Sequence, residues 1–226
     1  MVVFRDFISF LKKPDLGKKF EIKSPIPFLK LVWKSFLIIF AIYIVVFLVI
    51  STPLDFFHLL PAKKIIIINL RSSIIAILIA PIIEELIFRL PLRFSKVNII
   101  TSFCLVIFLI LNKLNFYLAL SISIVLLGFL LLRINEGSDI IKRADNFFTR
   151  YFFWIFYFQV FLFGFLHLIN FNLDFRYFYL FPFFIIGYIL IGCYLGYIRV
   201  RYNLGIYICI VTHMVINGVY CLINFR

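Results

Sequence analysis

Two adjacent glutamates interrupt an apolar run, Pro81-Ile82-Ile83-Glu84-Glu85-Leu86-Ile87-Phe88-Arg89. A carboxylate in hydrocarbon costs at least ~2.5–3.5 kcal/mol on insertion scales, so two of them with an arginine one turn on imply a polar cavity and chemistry. Two further apolar runs carry histidine. Phe163-Gly164-Phe165-Leu166-His167 is followed by Asn170, and Thr212-His213-Met214-Val215-Ile216-Asn217 sets an amide one turn beyond an imidazole. Residues four apart share a helix face, so Glu85 points with Arg89 and His213 with Asn217, while Glu84 is turned aside. Arg89 is suited to hold Glu85. Glu84 is then free to act as general base on a water shared with one histidine. A second histidine and an asparagine amide are suited to donate hydrogen bonds to a developing oxyanion. Such a set hydrolyses an acyl group. Glu84, His167 and His213 also form a plausible zinc set. The amide of Asn217 suits oxyanion donation better than zinc ligation, which favours chemistry with no required metal or other cofactor.

Each feature alone has a plainer reading. Glu85 with Arg89 is more often a structural ion pair, and a single helix histidine is often a packed one. Asn217 alone is interhelical glue, and Asn170 alone a helix-end hydrogen bond. Phe163 lies one turn before His167, where it packs and orients the imidazole. The joint pattern of all three segments is what points to a site.

The elements that must position these side chains are membrane helices. Of the 226 residues, 65% are hydrophobic, and the mean hydropathy is +1.12. A soluble domain of this length cannot bury so much apolar surface. A span needs ~20 apolar residues. Segments near 35–52, 65–88, 97–111, 116–132, 151–170, 177–197 and 204–223 are read as spans, the third being short. The expected fold is therefore an all-α polytopic transmembrane helical bundle of about seven spans, over residues 35–226. A basic segment, 1–34, precedes it. Its apolar face (Val2, Val3, Phe4, Phe7, Ile8, Leu11) is expected to lie on the membrane surface. Ser24-Pro25-Ile26-Pro27 breaks that stretch from the first span.

The net charge is +13. With the N-terminus inside, 17 lysines and arginines fall on the cytoplasmic side and 5 outside, with Arg71 within a span. That is the positive-inside pattern and not a nucleic-acid surface, for which no motif is present. Cys104, Cys193, Cys209 and Cys221 all lie in apolar runs and read as small buried hydrophobes. The N-terminus does not read as a cleavable signal, and Asn224-Phe225-Arg226 is no C-a-a-X ending. His58, between two spans, reads as interfacial with no catalytic part. The loop from Arg133 to Arg150 is the clearest polar linker.

At the three motifs the chain resembles the CAAX-protease and bacteriocin-processing (CPBP, or Abi) family of intramembrane proteases. The resemblance rests on E-E-x-x-x-R at Glu84–Arg89, F-x-x-x-H at Phe163–His167 and H-x-x-x-N at His213–Asn217, in family order. It covers about residues 70–223. It implies a membrane-embedded endopeptidase acting on membrane-associated or prenylated-type peptides or proteins, in a bacterial cytoplasmic membrane. It assigns Glu84 and His167 to water activation, His213 and Asn217 to the oxyanion hole, and Glu85 and Arg89 to their support. The family is described both as metalloprotease and as glutamate-dependent without a metal. Between Glu84 and His167 lie 82 residues, a surplus that reads as a hairpin insertion near 97–132. Two added spans preserve the antiparallel sense of the two motif helices. Rival readings are a catalytically silent scaffold or immunity protein of the same fold, and a cation or proton transporter using the Glu/His cluster. Retention of every motif residue argues against the first. The lack of repeat symmetry argues against the second.

Overall fold

The computed structural model describes residues 2–17, 19–56, 59, 69–134, 137–171 and 175–224. His58 lies outside them. Nine helices run through the described residues: α1 (Val2–Lys12), α2 (Pro25–Phe56), α3 (70–88), α4 (Lys96–Asn112), α5 (Phe116–Arg133), α6 (Asp139–Arg150), α7 (Phe152–Leu166), α8 (Phe181–Arg201) and α9 (Gly205–Asn224). Side-chain caps start four of them. Asn69 and Ser72 form a reciprocal capping box on α3, and Ser95, Asn115 and Ser138 accept from the third backbone N–H of α4, α5 and α6. Each satisfies an N–H that the helix itself cannot.

The protein is an integral membrane helical bundle. The expected count of seven spans is not reproduced. Among the described residues, α2, α5, α7, α8 and α9 are long and apolar enough to cross a membrane, whereas α4 is a shorter apolar helix. The described part of the second expected span begins only near Asn69. Helix α2 already starts at Pro25, well before residue 35, because Pro25 suits a first helical turn.

Helix α8 is the axis of the bundle, with Ile191 and every residue from Gly192 to Arg201 buried. It meets α7 closely. A Cβ on Gly196 would come within 2.7 Å of Phe156 Cε2, and one on Gly164 within 2.7 Å of Ile189 Cγ1. Gly192-x-x-x-Gly196 is thus a small-xxx-small contact face. Phe156 is fully buried and cannot yield. Gly196→Ala should therefore cost roughly 1–3 kcal/mol by overpacking, read as a lower unfolding temperature in detergent. Gly218→Ala, where no atom lies within 4 Å, should leave that temperature unchanged or raise it.

The N-terminal segment packs against α7 and α8. Phe7 and Phe10 pack edge-on against Tyr194 and Phe156, and Phe10 also meets Tyr197. Arg201, only 3% exposed, pairs with Asp6 (3.3 Å) and Asp15 (3.0 Å). Tyr197 Oη donates to Asp6, and Tyr157 Oη to the Leu11 carbonyl. Phe20 exchanges backbone bonds with Arg201 and Asn203 at the end of α8, and Ile22 exchanges bonds with the Asn203 side chain. A buried guanidinium needs counter-charges, and this segment supplies both acids. Arg5, Lys12 and Lys13 remain exposed.

Helices α4 and α5 form an antiparallel hairpin on the flank of α3. Ser102 Oγ donates to the Leu86 carbonyl at 2.6 Å. Lys96 Nζ closes the last turn of α5 through the Leu131 and Ile134 carbonyls, at 2.8 and 2.7 Å.

Candidate active site

Local chain chemistry shapes α3 before it reaches the glutamates. Its Ile75–Ile79 turn is π-helical, and the Ala80 N–H bonds the Ile75 carbonyl. Pro81 has no N–H to offer. Neither usual backbone partner therefore reaches the Ala76 carbonyl. Asn217 Nδ2 donates to it at 2.8 Å, fastening α9 to α3.

One turn later the two carboxylates diverge. Glu85 is fully buried, its Oε2 3.4 Å from Arg89 Nε and its Oε1 2.9 Å from His213 Nδ1. The carboxylate accepts, so Nδ1 carries the proton and His213 Nε2 faces away from Glu85. Glu84 is less enclosed, with 31% of its side chain exposed. Its Oε2 lies 3.9 Å from His167 Nε2 and 3.9 Å from His213 Nε2. That oxygen has no hydrogen-bond partner among the described residues.

His167 follows the last residue of α7 and opens a 3-10 turn, His167–Asn170. Its Nδ1 donates to the Phe163 carbonyl at 2.8 Å, which leaves Nε2 to face Glu84. Phe163 has two further contacts. Its ring edge meets the imidazole at 4.5 Å between centroids, and its face carries the Arg89 guanidinium 3.8 Å from the centroid. Such a cation–π contact offsets part of the burial of Arg89, whose terminal nitrogens have no hydrogen bond among the described residues. Gly192 lies beside this contact: a Cβ there would come 3.3 Å from Val160 Cγ1, with Phe163 Cδ1 at 3.4 Å and Arg89 Nη2 at 3.7 Å. The Tyr188 ring stacks on His167 at 4.1 Å between centroids.

All eight residues singled out from the sequence thus sit in or beside one cluster. The sequence puts Glu84 near one end of its span and His167 near the other. They nevertheless meet, Glu84 Oε2 lying 3.9 Å from His167 Nε2. Beyond Phe88 the chain passes into a 3-10 turn containing Pro91, and the carbonyls of Arg89 and Leu90 accept from Arg199 Nε and Nη2 in the last turn of α8, both at 3.1 Å. Arg93 returns the contact by donating to the Val200 carbonyl of α8 at 3.0 Å. Tyr188, level with His167, lies about 10 Å from the start of α8 and about 20 Å from its end at helical rise. Sequence reasoning missed Tyr188 and the cross-capping by Arg199 and Arg93. The Pro91 stop, with its freed carbonyls, was the available signal for the latter.

The trio of Glu84, His167 and His213 offers zinc the right atoms. Tetrahedral zinc with bonds of ~2.0–2.1 Å holds its ligand atoms about 3.3 Å apart. Here both separations are 3.9 Å, and no metal-binding cluster of three such side chains closes among the described residues. The spacing as it stands matches one water, placed about 2.8 Å from each atom. The pairs Glu84–water–His167 and His213–Glu85–Arg89 can deliver a base, a nucleophile and a charged hydrogen-bond donor to one bond.

The family described as type II CAAX prenyl endopeptidase Rce1-like matches residues 67–219. Neither the curated proteins nor the solved structures give a match.

Proposed function

The chain belongs to the Rce1-like family of type II CAAX prenyl endopeptidases, and from that premise we propose that it is an intramembrane endopeptidase cutting membrane-associated peptides of the prenylated type. The carrying observation is the meeting of Glu84 Oε2 with two imidazole Nε2 atoms at 3.9 Å inside an apolar bundle.

In the proposed reaction, water held between Glu84 and His167 attacks the scissile carbonyl carbon, and Glu84 takes its proton. The carbonyl π pair moves to oxygen. His213 Nε2–H, its charge balanced by Glu85, donates to that oxyanion. The second N–H of Asn217, the one not used by Ala76, is the other donor. Collapse of the intermediate breaks the C–N bond, and the proton on Glu84 passes to the leaving amine. Glu84 and Glu85 against Arg89 leave one negative charge in excess. A single proton shared by Glu84, His167 and His213 makes the buried set neutral, which low dielectric favours. No step requires a metal.

The test uses the full-length protein in liposomes with a farnesylated C-a-a-X peptide, analysed by mass spectrometry. Release of the terminal tripeptide, persisting after chelation in protein free of zinc, is the expected result. An intact peptide would reject the prenylated-substrate class. Activity lost with stoichiometric zinc and restored on its return would overturn the metal-free mechanism.

A further inference from the structure

We propose that Tyr188 is a positioning residue that sets the plane of the His167 ring, a role that rests on the peptidase reading above.

His167 needs such a fixture. It stands where α7 has ended, at the first position of the 3-10 turn His167–Asn170, so no following α-helical turn confines it. Its bond to the Phe163 carbonyl pins Nδ1 at 2.8 Å. One bond leaves the ring free to swing about that contact. Tyr188 removes the freedom. Its ring lies against the imidazole face, with centroids 4.1 Å apart and planes 26° from parallel. Phe163 meets the same imidazole edge-on at 4.5 Å and 60°. Held by both rings, His167 aims Nε2 at Glu84 Oε2.

Tyr188 is itself held in place. Its ring packs on the buried cluster of Leu168, Phe171, Leu180, Phe184 and Ile185. Its stacking on His167 ties the end of α7 to the middle of α8. The flat face of Tyr188 is the part that serves His167. A flat ring of any kind should do this, whereas a branched aliphatic side chain should not.

The experiment labels histidine ring nuclei in the full-length protein in nanodiscs and assigns His167 with a His167→Gln variant. The stacked phenol should shift the His167 ring protons upfield. Tyr188→Phe should keep that shift and Tyr188→Leu should lose it; Tyr188→Met replaces the leucine variant if the latter does not fold. Against the farnesylated peptide, Tyr188→Leu should lower kcat roughly 10–100-fold with KM unchanged, the scale expected for a displaced catalytic group, while Tyr188→Phe stays within about threefold. Identical His167 resonances in wild type and Tyr188→Leu would overturn the proposal. So would an unchanged kcat in Tyr188→Leu, or a Tyr188→Phe as impaired as the leucine variant, which would assign the role to the hydroxyl. If the wild type itself does not cut the peptide, the prenylated-substrate reading fails, and the resonances still decide whether Tyr188 holds the ring.

Discussion

Replacing Glu84 with glutamine should reduce cleavage by roughly 10²–10⁴-fold, the range in which a positioned general base contributes. The amide keeps the size and shape of the side chain and can still lie 3.9 Å from both imidazoles. It cannot take the proton of the attacking water. Because Glu84 Oε2 has no hydrogen-bond partner among the described residues, glutamine removes no structural contact. The unfolding temperature should therefore hold or rise. Peptide cleavage and thermal unfolding of the same preparation separate the two effects. A Glu84→Gln protein that cuts at the wild-type rate would remove Glu84 from the mechanism. One that unfolds early would make the carboxylate a structural element.

Arg89→Ala should be the most damaging substitution for stability, at about 3–5 kcal/mol, the cost of leaving one member of a buried ion pair alone. Arg89 is 2% exposed and Glu85 0%, so water cannot take the place of the guanidinium. The loss spreads further than one pair. Phe163 loses the cation on its face, and His213 is left as the only partner of the Glu85 carboxylate among the described residues. Arg89→Lys should recover part of the charge but not the flat contact with Phe163. Unfolding midpoints of the three proteins in one detergent test this. A midpoint for Arg89→Ala within a degree or two of wild type would mean that the pair contributes nothing measurable. Double replacement with Glu85→Gln should be milder than Arg89→Ala alone, since it removes both charges.

The motifs were legible because polar groups in an apolar run have few places to go. Glu84, His167 and His213 had to share a cavity, and the i,i+4 spacing already separated the roles of the two glutamates. What was not legible depends on contacts far apart in the chain. Arg199 and Arg201 read as positive charges at a helix end. The structure buries both, one on the carbonyls of α3 and the other between Asp6 and Asp15. No local pattern distinguishes a topology-setting arginine from one that caps a helix more than a hundred residues away. The span count differs because Lys96–Asn112 is shorter than a span and the second expected span lies partly outside the described residues. Tyr188 left no trace, since a tyrosine in an aromatic-rich apolar run looks the same whether or not it meets an imidazole.

The docking of the N-terminal segment also imposes an order in time. Asp15 and Arg201 are 186 residues apart in the chain, so on the ribosome the first helix is complete long before its partner exists. During that interval Phe7 and Phe10 have no Tyr194 or Tyr197 to pack on. An amphipathic helix in that position has the membrane surface as its resting place. This segment therefore cannot lock until α8 has been made and set beside it.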